Sequence, residues 1–150
     1  MKNKQVANKK FTGFSDFERS AMKERAKELV AEARVSKNRS EGDKSIMAAI
    51  TKMGSVDRAM AKRIHEIVTK VAPKLMPKTW YGMPAYANKD GKVICFFQAA
   101  SKFKVRYSTF GFQPDANLDQ GNLWPTSFAI KKLTSADEKK IAVLVKKAVS

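Results

Sequence analysis

Chemistry at neutral pH is usually carried by histidine, cysteine and clustered carboxylates, and this chain holds one histidine, His65, and one cysteine, Cys95. A zinc site of the Cys/His type needs several such ligands converging, so that class is excluded. His65 follows Ile64 in a stretch of helical periodicity and reads as a structural histidine. Cys95 lies between Ile94 and Phe96 in an apolar run and reads as a small core residue; no neighbouring base or helix start would lower its pKa. Asp90 belongs to a turn, and Asp137 and Glu138 to a helix start. The segment Asp115 to Gly121 resembles the start of a calcium loop, but its glycine comes one residue late and Thr126 stands where a bidentate glutamate belongs. The chain has neither a Gly-rich phosphate cradle nor a Gly-x-Ser-x-Gly elbow. Nucleophile, base and oxyanion donor cannot be assembled from these residues. The sequence therefore predicts a protein that is not an enzyme, with no metal and no cofactor.

Aromatic side chains offer a different chemistry, that of binding. Thr79-Trp80-Tyr81-Gly82-Met83-Pro84-Ala85-Tyr86 packs three rings, a methionine, a glycine and a proline into eight residues. Rings bury large areas in defined geometries, and Gly and Pro fix the backbone around them. The expectation is a ligand- or partner-facing corner made by Trp80, Tyr81, Met83, Tyr86, Phe97 and Trp124, with Lys104 and Arg106 as charged neighbours. The competing expectation is a packed helix–sheet junction without a ligand. Phe103-Lys104-Val105-Arg106-Tyr107 interleaves cations and rings as single-strand binders do. Strand alternation, however, puts those two sets on opposite faces.

Thirty Lys and Arg stand against 14 Asp and Glu, a formal net charge of +16 over 150 residues. The excess is spread: 17 basic against nine acidic residues up to Lys70, and 13 against five after it. Basicity of this size favours polyanions, so non-specific nucleic acid is an expected partner beside a small ligand or a protein. No apolar run approaches the roughly 20 residues that span a bilayer. Met1 to Lys10 is basic with no apolar segment after it, and one cysteine forms no internal disulfide. The expected location is the cytoplasm, away from membranes.

These side chains need a scaffold. Residues 1–13 read as a disordered basic tail. Ser15-Asp16-Phe17-Glu18 is a capping box opening a thinly amphipathic helix to about Arg34. Asp43 is the expected cap of a short helix carrying Ile46, Met47 and Ile50, ended near Gly54. Ser55 is the expected cap of the next, in which Val56, Met60, Ile64, Ile67, Val68 and Val71 give the strongest helical periodicity. Pro73 and Pro77 stop it. The period then changes. Trp80 to Tyr86, Lys92 to Gln98 and Phe103 to Thr109 read as strands, the first two joined at Asp90-Gly91. Phe110 to Pro125 reads as a loop, and Thr126 to Lys131 as a fourth strand. Ser135-Ala136-Asp137-Glu138 is read as a capping box for a last helix carrying Ile141, Leu144, Val145 and Ala148. The order predicts an α+β domain whose antiparallel sheet is covered by helices on one face.

Ala72-Pro73, the block Tyr81 to Tyr86, the Asp90-Gly91-Lys92-Val93 hairpin, Phe96-Phe97 and the closing Leu144 to Val149 resemble the YdhG-like bacterial proteins. The resemblance runs from about Val56 to Ser150. It implies a frataxin-like helix–sheet–helix sandwich over 55–150, with 14–54 as an N-terminal helical extension. It also implies, as an alternative function, an intracellular iron chaperone working through an acidic iron-binding surface. From Pro73 onward this chain has five acidic residues among 13 basic ones.

Overall fold

The structure is a computed structural model that describes residues 15–35 and 39–150, with side chains left aside for 32–35. The expected tail at 1–13 lies outside the described residues. The elements are α1 (Asp16–Val35), α2 (Arg39–Thr51), α3 (Ser55–Val71), β1 (Met76–Trp80), β2 (Met83–Ala87), β3 (Val93–Gln98), α4 (Ala100–Phe103), β4 (Ser108–Phe112), β5 (Ser127–Ile130) and α5 (Ser135–Ala148). The five strands form one antiparallel meander in sequence order. No described helix is long and apolar enough to cross a membrane.

Alternation divides the sheet into two faces. Tyr86, Cys95, Phe97, Phe110, Phe112 and Ile130 share a core with Ile46 and Ile50 of α2, Ile64 and Val68 of α3, and Ile141 and Val145 of α5. The α+β expectation holds at that level. α2, in the segment 14–54 expected as an N-terminal helical extension, packs into the same core as the sheet. Ile46 and Ile50 are fully buried in the same core as α3, and Gly42 lets α2 approach the β1 backbone so closely that a Cβ would lie 2.2 Å from the Pro77 carbonyl oxygen.

Several local expectations are corrected. The helix assigned an Asp43 cap begins earlier, at Arg39, and Asp43 instead turns towards His65. The cap position before α3 is Gly54, without a side-chain bond. The last helix is capped by Thr134, not Ser135: the Thr134 hydroxyl accepts from the Asp137 amide while the Asp137 carboxylate accepts from the Thr134 amide. Ser15 does accept from the Glu18 amide at the start of α1.

The segment from Trp80 to Tyr86 is not one strand. It is the end of β1, a two-residue turn at Tyr81-Gly82 and most of β2. Nor is Phe103 to Thr109 a strand: Phe103 closes α4, Lys104 is left-handed at φ 52°, and β4 begins at Ser108 and takes in Phe110 to Phe112. The cause is a distant carboxylate. Buried Asp57, in the first turn of α3, accepts from the Ser101 amide at 2.8 Å and the Ser108 hydroxyl at 2.9 Å, and Ser108 Oγ accepts from the Ala100 amide. This network holds the α4 turn against the start of β4. Burial raises the Asp57 pKa, but the bonds from Ser101 and Ser108 together outweigh it and hold the carboxyl below its ordinary value.

The Asp90-Gly91 hairpin is as expected. Asn88 Oδ1 accepts from the Asp90 and Lys92 amides, and Gly91 takes φ 81°. Pro84 has no amide hydrogen to give, and the β2–β3 ladder starts one residue later, at Ala85 opposite Phe96.

Candidate binding face at the β1–β2 corner

Period-2 alternation sorts the aromatic residues onto opposite sides of the sheet. Tyr86 and Phe97 face the helices and are buried at 1% and 0% exposure. Trp80 and Met83 are cross-strand partners on the other face, where Ala85 opposes Phe96. There Trp80 and Phe96, both half-buried, bring their ring centroids to 5.4 Å, and Tyr81 stands edge-on to Trp80 at 5.1 Å. Phe96 lies over Gly111 of β4: a Cβ there would meet the ring at 2.5 Å. The missing side chain makes the seat on which the ring lies against the sheet.

Cations border this platform. The Arg25 guanidinium of α1 lies over the Tyr81 ring at 5.2 Å. Lys78 precedes Trp80 by two residues on the same strand face, and Lys92, in the β2–β3 turn, is 3.6 Å from the Asp115 carboxylate. Lys78, Trp80 and Lys92 share a cleft of about 340 Å³ with Gln113 and Pro114. A larger cleft, about 640 Å³, lies between the ends of α3 and α5 and holds none of the expected aromatic residues.

The eight expected site residues therefore do not form one site. Trp80, Tyr81 and Met83 stand together. Tyr86 and Phe97 belong to the core, and Trp124 packs half-buried against that core from the loop before β5. Lys104 and Arg106 lie between α4 and β4, with Arg106 over the Tyr107 ring at 5.1 Å. Phe96, Gly111, Lys78 and Arg25 were not among the expected residues. The signal for Phe96 was its neighbour: Phe96 and Phe97 must point to opposite faces, so one of the two leaves the core.

His65, Tyr86 and Cys95 are engaged in packing. His65 Nδ1 lies 2.9 Å from the Tyr86 hydroxyl and Nε2 lies 3.5 Å from Asp43, with the His65 and Tyr86 rings stacked. Burial lowers the His65 pKa, and the Asp43 carboxylate opposes that only in part. Burial raises the pKa values of Tyr86 and Cys95, leaving a neutral phenol and thiol in the core. Among the described residues, no three His, Cys, Asp or Glu side chains converge as metal ligands. No family model, curated protein or solved structure matches the chain.

Proposed function

We propose that this protein is a non-enzymatic binding module that takes single-stranded nucleic acid on the sheet face around Trp80. The observation that carries the proposal is the paired, half-buried rings of Trp80 and Phe96 at 5.4 Å on the sheet face that bears Lys78. Half-buried rings held by a rigid sheet present a face on which a base can stack, and stacking is tolerant of sequence. Neighbouring cations and a net charge of +16 supply attraction for phosphates. A duplex hides its base faces, so the platform favours a single strand. An uncharged small ligand or protein surface would use the rings but leave the charge without a role. An iron-carrying role finds no ligand cluster among the described residues.

The kinship proposed with YdhG-like proteins rests on the block from Tyr81 to Tyr86 and on its order with the Asp90-Gly91 hairpin. A frataxin-like arrangement is the finer form of that reading, supported by the helical layer on one face of the meander. Kinship of fold specifies no activity. The free, buried Cys95 supports a reducing, cytoplasmic location.

The test is fluorescence anisotropy with a labelled oligothymidylate across a salt series. Affinity falls steeply as salt rises. Trp80→Ala weakens binding by about five- to 160-fold, the loss of one base–aromatic stack at roughly 1–3 kcal/mol, while circular dichroism reports an intact fold. Equal affinity of the variant and the parent protein, or equal affinity for a duplex, overturns the proposal.

A further inference from the structure

The turn beside the platform is built in an unusual way. Trp80 and Met83 close a two-residue loop in which both central residues have positive φ, Tyr81 at 51° and Gly82 at 74°. Glycine takes that conformation freely; a tyrosine does so only at a cost. The geometry aims two successive amides at one point. Both are bound by a single side chain: Glu28 Oε2 accepts from the Tyr81 amide and Glu28 Oε1 from the Gly82 amide, each at 2.7 Å. Successive amides pointing at one carboxylate make an anion seat. Lys102 borders it, with Nζ 2.7 Å from Glu24 Oε2 and 3.3 Å from the Gly82 carbonyl oxygen. The seat joins the platform directly, because Tyr81 follows Trp80 and their rings are in contact.

The occupant, α1, lies at the margin of the core. None of the described side chains of α1 belongs to the buried core, which begins at Ile46, and Leu29 and Val30 face solvent. The bonds that tie α1 to the sheet corner are polar: Glu28 to the turn, Glu24 to Lys102, and Arg25 over Tyr81. A helix whose described side chains are at most half-buried lies at the low end of local stability.

We infer that the Tyr81-Gly82 turn is a phosphate seat and that α1 is an internal competitor, holding the Glu28 carboxylate where a backbone phosphate of the bound strand would sit. The inference deepens the proposed function and rests on it for the identity of the ligand. A strand whose bases stack on Trp80 and Phe96 places a phosphate within reach of the turn. That phosphate takes the two amide hydrogen bonds, Lys102 turns from Glu24 to the new anion, and α1 is released. Occupation of the seat by α1 lowers apparent affinity by the fraction of molecules in which it is closed.

The experiment compares the full chain with Glu28→Gln and, as a control of equal charge change, Glu66→Gln on the exposed side of α3. Neutralising Glu28 weakens two charge-assisted hydrogen bonds, so oligothymidylate affinity rises by about tenfold over the Glu66→Gln control, and the α1 amides exchange with solvent faster. Equal affinities of the two variants overturn the inference while leaving the proposed function standing. Inorganic phosphate probes the seat without nucleic acid, by the amide resonances of Tyr81 and Gly82. Saturable shifts in Glu28→Gln, smaller in the parent protein, support a phosphate seat. Absence of such shifts overturns it. Oligonucleotide binding by none of the three proteins refutes the proposed function, and the phosphate titration then decides the seat alone.

Discussion

Replacing Gly42 by alanine reverses the sign that helix propensity alone would assign. Inside a helix, Gly→Ala gains up to about 1 kcal/mol. Gly42 is the fourth residue of α2 and faces β1, where a Cβ would stand 2.2 Å from the Pro77 carbonyl oxygen and 3.2 Å from its carbon. Relief requires α2 and β1 to separate by about 1 Å, since dispersion contacts are made at about 3.5–4 Å and collapse below it. The obstacle is backbone and cannot rotate away. Separation loosens the seating of Ile46 and Ile50, both fully buried, and the Ser45–Thr79 hydroxyl contact beside them. Overpacking of this kind costs about 1–3 kcal/mol, which offsets or outweighs the propensity gain and leaves a net loss of up to about 2 kcal/mol. For a chain of this size that is a fall in Tm of up to about 8 °C. Urea unfolding followed by circular dichroism measures it, with exposed Lys44→Ala as a control expected to stay within about 0.5 kcal/mol. A Gly42→Ala protein more stable than its parent would refute the packing of α2 on β1.

Asp57→Ala leaves the Ser101 amide and the Ser108 hydroxyl without their acceptor and should cost about 1–3 kcal/mol in denaturant unfolding; an unchanged midpoint contradicts the network. The same carboxyl, held below its ordinary value of 3.8, contributes stability that is present above 3.8 and lost as pH falls further, a loss that Asp57→Asn should blunt. His65 has a folded pKa below 6.5, so the folded state resists its protonation and stability declines as pH falls below 6.5. His65→Phe should flatten that slope between pH 7 and 5, and an identical pH profile would remove His65 as its source.

Much of the scaffold was legible because its signals are local. The apolar spacing of α3 and α5, the Asn88 to Gly91 turn and the apolar run of β3 each carry their instruction within a few residues. What stayed hidden depends on distant partners. Tyr81 is a poor residue for positive φ, so the β1–β2 turn is invisible until the Glu28 carboxylate across the sequence is seen holding both amides. The alternation of Phe103 to Tyr107 mimics a strand, yet Asp57, more than 40 residues earlier, fixes Ser101 in a helical turn. In the binding face, Trp80 and Tyr81 were visible as an aromatic cluster. Choosing Phe96 over Phe97 required the register of β3 against β4, and Gly111 read as loop because its role is to leave room for a ring.

Photo-crosslinking of a 5-bromouridine-substituted single strand, with the attachment sites mapped by mass spectrometry, locates the binding face on the protein itself. A strand stacked at the β1–β2 corner attaches chiefly to Trp80, Tyr81 and Phe96, and loses its attachment to β1 in Trp80→Ala. Attachment scattered over the lysines of α3 and α5, with none on the β1–β2 corner, would contradict that placement.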